Sequence, residues 1–102
     1  VVCYKLPWRA ISPKNNWVLH RNSNRGWKSD MRGWQWSSGD AIKLRGTDVE
    51  SVIDTMPDTV TAVILDRQGV GVIWNEVEGE EMVPLILEKL QSLRSFFEKT
   101  FL

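Results

Sequence analysis

A chain of 102 residues and 11.8 kDa has room for one domain of ordinary size, so a two-domain reading is excluded. Apolar residues make up 42% and charged residues 25%, a balance that fits a packed core and excludes a disordered tail or low-complexity linker. The formal net charge is zero, and no apolar run approaches the roughly 20 residues needed to cross a bilayer.

Val1, Val2, Cys3 and Tyr4 open the chain as a β-branched and aromatic run closed by Pro7, which predicts a first strand over residues 1–6. Ser12, Pro13, Asn15 and Asn16 are turn formers and place a loop at residues 10–16. Trp17, Val18 and Leu19 read as a short strand that runs into the polar stretch from His20 to Gly26. Arg25-Gly26-Trp27 recurs as Arg32-Gly33-Trp34, and glycine at both places suggests backbone with positive φ or a close approach. Seven residues is too short a period for a solenoid, so a hairpin is expected. Ser37, Ser38 and Gly39 form a break, and Ala41 to Leu44 read as a strand ending at Arg45-Gly46.

Thr47-Asp48-Val49-Glu50 matches a capping box, where the threonine hydroxyl accepts from the amide three residues on. Val49, Val52, Ile53 and Met56 give one apolar face, and Pro57 stops the predicted helix, placed at residues 48–56. Thr59 to Leu65 is rich in Val, Thr and Ile with apolar residues on both parities, as in a central strand covered on both faces. The turn Asp66 to Gly69 and a second strand from Val70 to Asn75 complete a β-hairpin. An acidic connection follows at Glu76 to Glu81. Met82, Ile86, Leu90, Leu93, Phe97 and Phe101 then repeat at the helical period, widened by Leu85, Leu87 and Phe96. Pro84 is tolerated only in a first turn, so this helix should begin at residues 81–83. The fold class expected is α+β: an antiparallel sheet of five or six strands, a short helix and a long C-terminal helix packed on one face.

Neutrality conceals a split. Residues 1–45 carry nine cations against Asp30 and Asp40, a balance of +7, and residues 46–102 carry eleven carboxylates against four cations, a balance of −7. Five of the six tryptophans, Trp8, Trp17, Trp27, Trp34 and Trp36, lie in the basic part. A small domain buries two or three such rings, so Trp17 and one of Trp34 and Trp36 are expected in the core. Trp34 and Trp36 share a face if their segment is a strand.

Catalytic and metal chemistry finds little purchase. His20 is the single histidine and Cys3 the single cysteine, too few ligands for a zinc site without positioned carboxylates. A Cys3–His20 dyad lacks any local signature, and a nuclease set of His20, Arg21 and Asp40 is the one catalytic alternative left open. Gly69-Val70-Gly71 lies inside the hairpin and opens no helix, so it is not a phosphate loop. No cofactor is expected.

Two non-catalytic readings follow. In the first, arginine and lysine neutralise phosphates while indoles stack on the bases of single-stranded DNA or RNA. Its residues are Arg21, Arg25, Trp27, Lys28, Arg32, Trp34 and Trp36, with Arg9 and Lys43 as supporting charges. In the second, the same Trp/Arg surface anchors a protein partner or a second copy of the chain. Stacking of exposed rings on sugars is a weaker third. The first residues, interrupted by Lys5, Pro7 and Arg9, lack a signal-peptide profile, which favours an intracellular over a secreted setting while the compartment stays open; without an initiating methionine the chain is read as a trimmed product or a domain excised from a longer one.

Overall fold

The computed structural model describes residues 1–11, 13, 15–22, 33–37 and 47–101. They form strands β1 (Val2–Pro7), β2 (Trp17–Arg21), β3 (Trp34–Trp36), β4 (Val60–Asp66) and β5 (Gly69–Trp74), with helices α1 (Asp48–Asp54) and α2 (Val83–Phe101). The five strands make one sheet in the order β1-β5-β4-β2-β3, every neighbouring pair antiparallel. The α+β architecture read from the sequence is the one observed. The strand expected at Ala41 to Leu44 and the first Arg-Gly-Trp repeat, Arg25 to Trp27, lie outside the described residues.

Sequence chemistry explains the helices. The Thr47 hydroxyl accepts from the Glu50 amide at 3.3 Å and caps α1, which ends at Asp54, two residues short of Met56, with Thr55 as its C-cap. Two 3-10 turns, Glu76–Glu78 and Glu80–Met82, precede α2, and Pro84 falls in its first turn, where its missing N–H leaves no bond unmade. No helix among the described residues is long and apolar enough to cross a membrane.

Register assigns the faces. Leu19, Val63 and Val72 stand opposite one another on β2, β4 and β5. They pack in one cluster with Val49 and Ile53 of α1 and with Ile86, Leu90, Leu93 and Phe97 of α2. Both helices therefore cover the same face. Val18, Ala62, Ile64 and Ile73 alternate with these residues and point to the other face. Apolar residues on both parities of β4 predict cover on both faces, of which the helices supply one. β4 is central, and Ala62 is only 3% exposed, yet α1 and α2 share one layer.

The β4–β5 hairpin forms as expected, with Arg67 and Gln68 at its turn. Beyond it, Lys5 on β1 reaches across β5 to the Asp66 carboxylate on β4. Gly69 and Gly71 make this reach feasible: they stand opposite Asp66 and Ile64 on one side and Pro7 and Lys5 on the other, and add no side chain in between. The Gln68 amide also donates to Asp66 Oδ1 at 2.8 Å. Burial pushes the Asp66 carboxyl up, but the hydrogen bonds from Lys5 and from the turn amides outweigh it, and its pKa lies below the usual value. A carboxylate with a depressed folded pKa contributes stability that is present above its unfolded pKa and is lost as pH falls through the folded one. Urea midpoints should therefore drop as pH falls below about 4, and Asp66→Asn should be less stable at neutral pH with a flatter acid limb. Parallel acid limbs in the two proteins would show that Asp66 contributes nothing to the pH dependence.

Candidate functional site

Of the nine residues that the sequence marks for a binding role, Arg9, Arg21, Trp34 and Trp36 lie among the described residues; Arg25, Trp27, Lys28, Arg32 and Lys43 lie outside them. β2 continues two residues past Leu19, so that Arg21 ends the strand and pairs with Trp34, the first residue of β3. The Asn22 amide donates to the Gly33 carbonyl and closes the ladder beyond that pair. Gly33 has φ of +97°, the left-handed region that glycine enters without strain, as the repeat suggested.

Arg21 and Trp34 face the helical layer. The Arg21 guanidinium lies 4.5 Å from the centroid of the Trp34 ring, within cation–π range. Its Nη2 donates to the Met56 carbonyl and its Nη1 to Asp58 Oδ1, each at 3.1 Å. Burial lowers the Arg21 pKa and Asp58 partly restores it; a guanidinium stays charged in either case. Trp34 is 2% exposed. A ring sealed to that degree has no free face for a base, so the stacking role expected of Trp34 is withdrawn. The physical reason is parity plus cover: β3 turns Trp34 toward the helices, and Arg21 lies over it.

Trp36 shares that face, two residues on, as the alternation of a strand requires. It is half-buried and meets Trp17 in a T-shaped contact at 6.2 Å. Trp17 is buried, as expected. The core thus takes Trp17 and, of the pair, Trp34.

Arg9 follows β1, which ends beside Gly69 at the sheet's opposite end and along its opposite edge from Arg21. Its backbone amide approaches Glu98 Oε1 at 3.4 Å. The fold does not bring Arg9 to Arg21, and its supporting role at the same site is withdrawn. A polar cleft of about 430 Å3 is lined by Asn15, Asn16, Asp66, Arg67 and Gln68, but the neighbouring Trp17 is buried.

Cys3 stands opposite Ile73, and His20 opposite Ala62. Strands β5 and β4 separate them, a spacing of roughly 14 Å at about 4.8 Å per strand, too far for a nucleophile and its base. Among the described residues no three of His, Cys, Asp and Glu gather as a metal site would require. Comparisons with protein-family models, with curated proteins and with solved structures return no match to this chain.

Proposed function

We propose that this chain is a non-catalytic binding module whose basic connection between β2 and β3 engages single-stranded nucleic acid. One observation carries the reading: the Arg21–Trp34 pair and the Asn22–Gly33 bond return both ends of that connection to adjacent points on the sheet's edge. Connections within a hairpin usually have about two to five residues, whereas this one spans residues 22–33. Chain of such length set on a rigid scaffold is where binding residues concentrate. The connection contains Arg25, Trp27, Lys28 and Arg32, against Asp30 alone, and Lys43 follows in the segment leading to α1. These cations and the Trp27 indole supply phosphate neutralisation and base stacking, the latter worth about 1–3 kcal/mol per base.

The test is a tryptophan fluorescence titration with oligodeoxythymidine at several salt concentrations. Quenching is expected, with affinity falling by roughly 0.7 log units per log unit of salt for each phosphate contacted. Alanine at Arg25, Lys28 and Arg32 together should flatten that slope, and Trp27→Ala should remove most of the quenching. Absence of quenching at micromolar protein, or quenching indifferent to salt, overturns the reading.

A second reading, self-association, is favoured by a different surface from the Trp/Arg set. The sheet face opposite the helices presents half-buried Val18, Ile64 and Ile73 around Ala62. Among the described residues, Lys5 and Asp66 on that face are paired with each other. Sedimentation equilibrium should then give a mass that rises with concentration, and Ile64→Lys should return it to the monomer value. A constant monomer mass rejects this reading and leaves the first standing.

A further inference from the structure

We infer that Arg21 is the clamp that decides whether the β3 edge opens as a unit of its own, separately from the β4–β5 centre of the sheet. The inference holds for whatever ligand the module takes.

Among the described residues β3 is an edge strand of three residues, paired with β2 through the register pairs Leu19–Trp36, His20–Gln35 and Arg21–Trp34. A ladder of three residue pairs belongs to the part of a fold that opens locally at low free energy. Arg21 adds what the ladder lacks. One planar side chain covers the Trp34 ring, donates to the Met56 carbonyl just beyond α1 and donates to Asp58 in the turn before β4. It thus ties β3 to a point 35 residues distant from Arg21 along the chain. Trp34 cannot leave the core without sliding out from beneath the guanidinium.

The parts of the clamp are unequal. The Asp58 side chain is fully exposed, so its ion pair is screened by water and salt. The Met56 carbonyl bond is part-buried, and the ring contact lies over a buried indole. These two contacts hold the edge. A lysine ammonium is a compact point charge with no planar fork, so it cannot lie over the ring and keep both directional bonds.

Amide hydrogen exchange on the whole chain, resolved by residue, tests the inference. In the unaltered protein, protection over Trp34–Trp36 should be lower than over Val63–Leu65 and Val70–Val72. Arg21→Ala should reduce it further by roughly tenfold to a hundredfold over Trp34–Trp36 while the β4–β5 amides keep theirs. Arg21→Lys should produce a smaller loss with the same pattern, which keeps the test available if the alanine variant fails to fold. Asp58→Asn should change protection by less than about threefold. Loss shared equally by β3 and β4–β5 would make Arg21 an ordinary contributor to global stability and overturn the inference. So would unaltered β3 protection in Arg21→Lys, or an Asp58→Asn effect as large as that of Arg21→Ala. Oligonucleotide binding plays no part in any of these readouts, so failure here and failure of the nucleic-acid reading are distinguishable.

Discussion

Phe97→Ala is expected to lower the free energy of unfolding by about 3–5 kcal/mol, read as a shift of the urea midpoint without a change in slope. Domains of this size are stable by only about 5–15 kcal/mol, so the variant should be partly unfolded at mildly elevated temperature. Phe97 has no exposed surface and is among the largest fully buried side chains. Its ring makes T-shaped contacts with Trp8 at 6.2 Å and with Phe96 at 5.7 Å. Trp8 in turn donates its indole N–H to the Asp66 carbonyl at the end of β4. Emptying the Phe97 site therefore leaves a cavity under α2 and removes the support of the ring that follows β1. Phe96 is the control, since it lies partly buried beside the core, and its replacement should cost distinctly less. Equal costs for the two variants, or a loss under about 1 kcal/mol for Phe97→Ala, would mean that α2 does not pack as described.

The helical layer was legible because its signals are local. A stripe at the helical period identifies Ile86, Leu90, Leu93 and Phe97 as core residues, and all four are fully buried. Met82 heads the same stripe yet is 41% exposed, because it precedes the α-helix and sits in a 3-10 turn, which rotates it off the face. Thr47 and Pro84 mark helix ends by chemistry that needs no distant partner. The β4–β5 hairpin was legible for the same reason: its turn and both strands are contiguous. Strand order was not, since β5 lies between β1 and β4 through pairings more than sixty residues apart for β1, and no local pattern encodes that choice.

The site illustrates the same limit more sharply. Sequence alone groups Arg21 with the other cations of a polar run and Trp34 with the other indoles. What separates them is long-range: the register that sets Trp34 opposite Arg21, and the approach of Met56 and Asp58 that gives the guanidinium its acceptors. Those contacts convert two expected ligand contacts into fold contacts. Parity predicted that Trp34 and Trp36 would share a face; how deeply each is buried depends on that cover and on Trp17.

Gly69→Ala should be at least as damaging as the loss of Phe97, for a reason that lies in the backbone rather than in packing. Gly69 has φ of +149°, a conformation that residues with a side chain rarely adopt. A Cβ there would collide with the carbonyl oxygen of Leu6 and crowd the Cα of Pro7, both main-chain atoms of β1 that no rotamer change can move. Either β1 shifts away from β5 or the hairpin turn distorts, and both routes loosen the approach of Lys5 to Asp66. The expected cost is about 3 kcal/mol or more, with hydrogen-exchange protection lost first over Val2–Leu6. Gly79→Ala separates backbone strain from simple crowding. Gly79 has an ordinary helical φ of −93°, and its added Cβ would meet the Trp74 indole, a side chain, together with the Asn75 carbonyl. That variant should leave β1 protection close to normal, whereas Gly69→Ala should not. If Gly69→Ala unfolds within about 1 kcal/mol of the unaltered protein, the close approach of β1 to the start of β5 is wrong, and with it the register that carries Lys5 to Asp66.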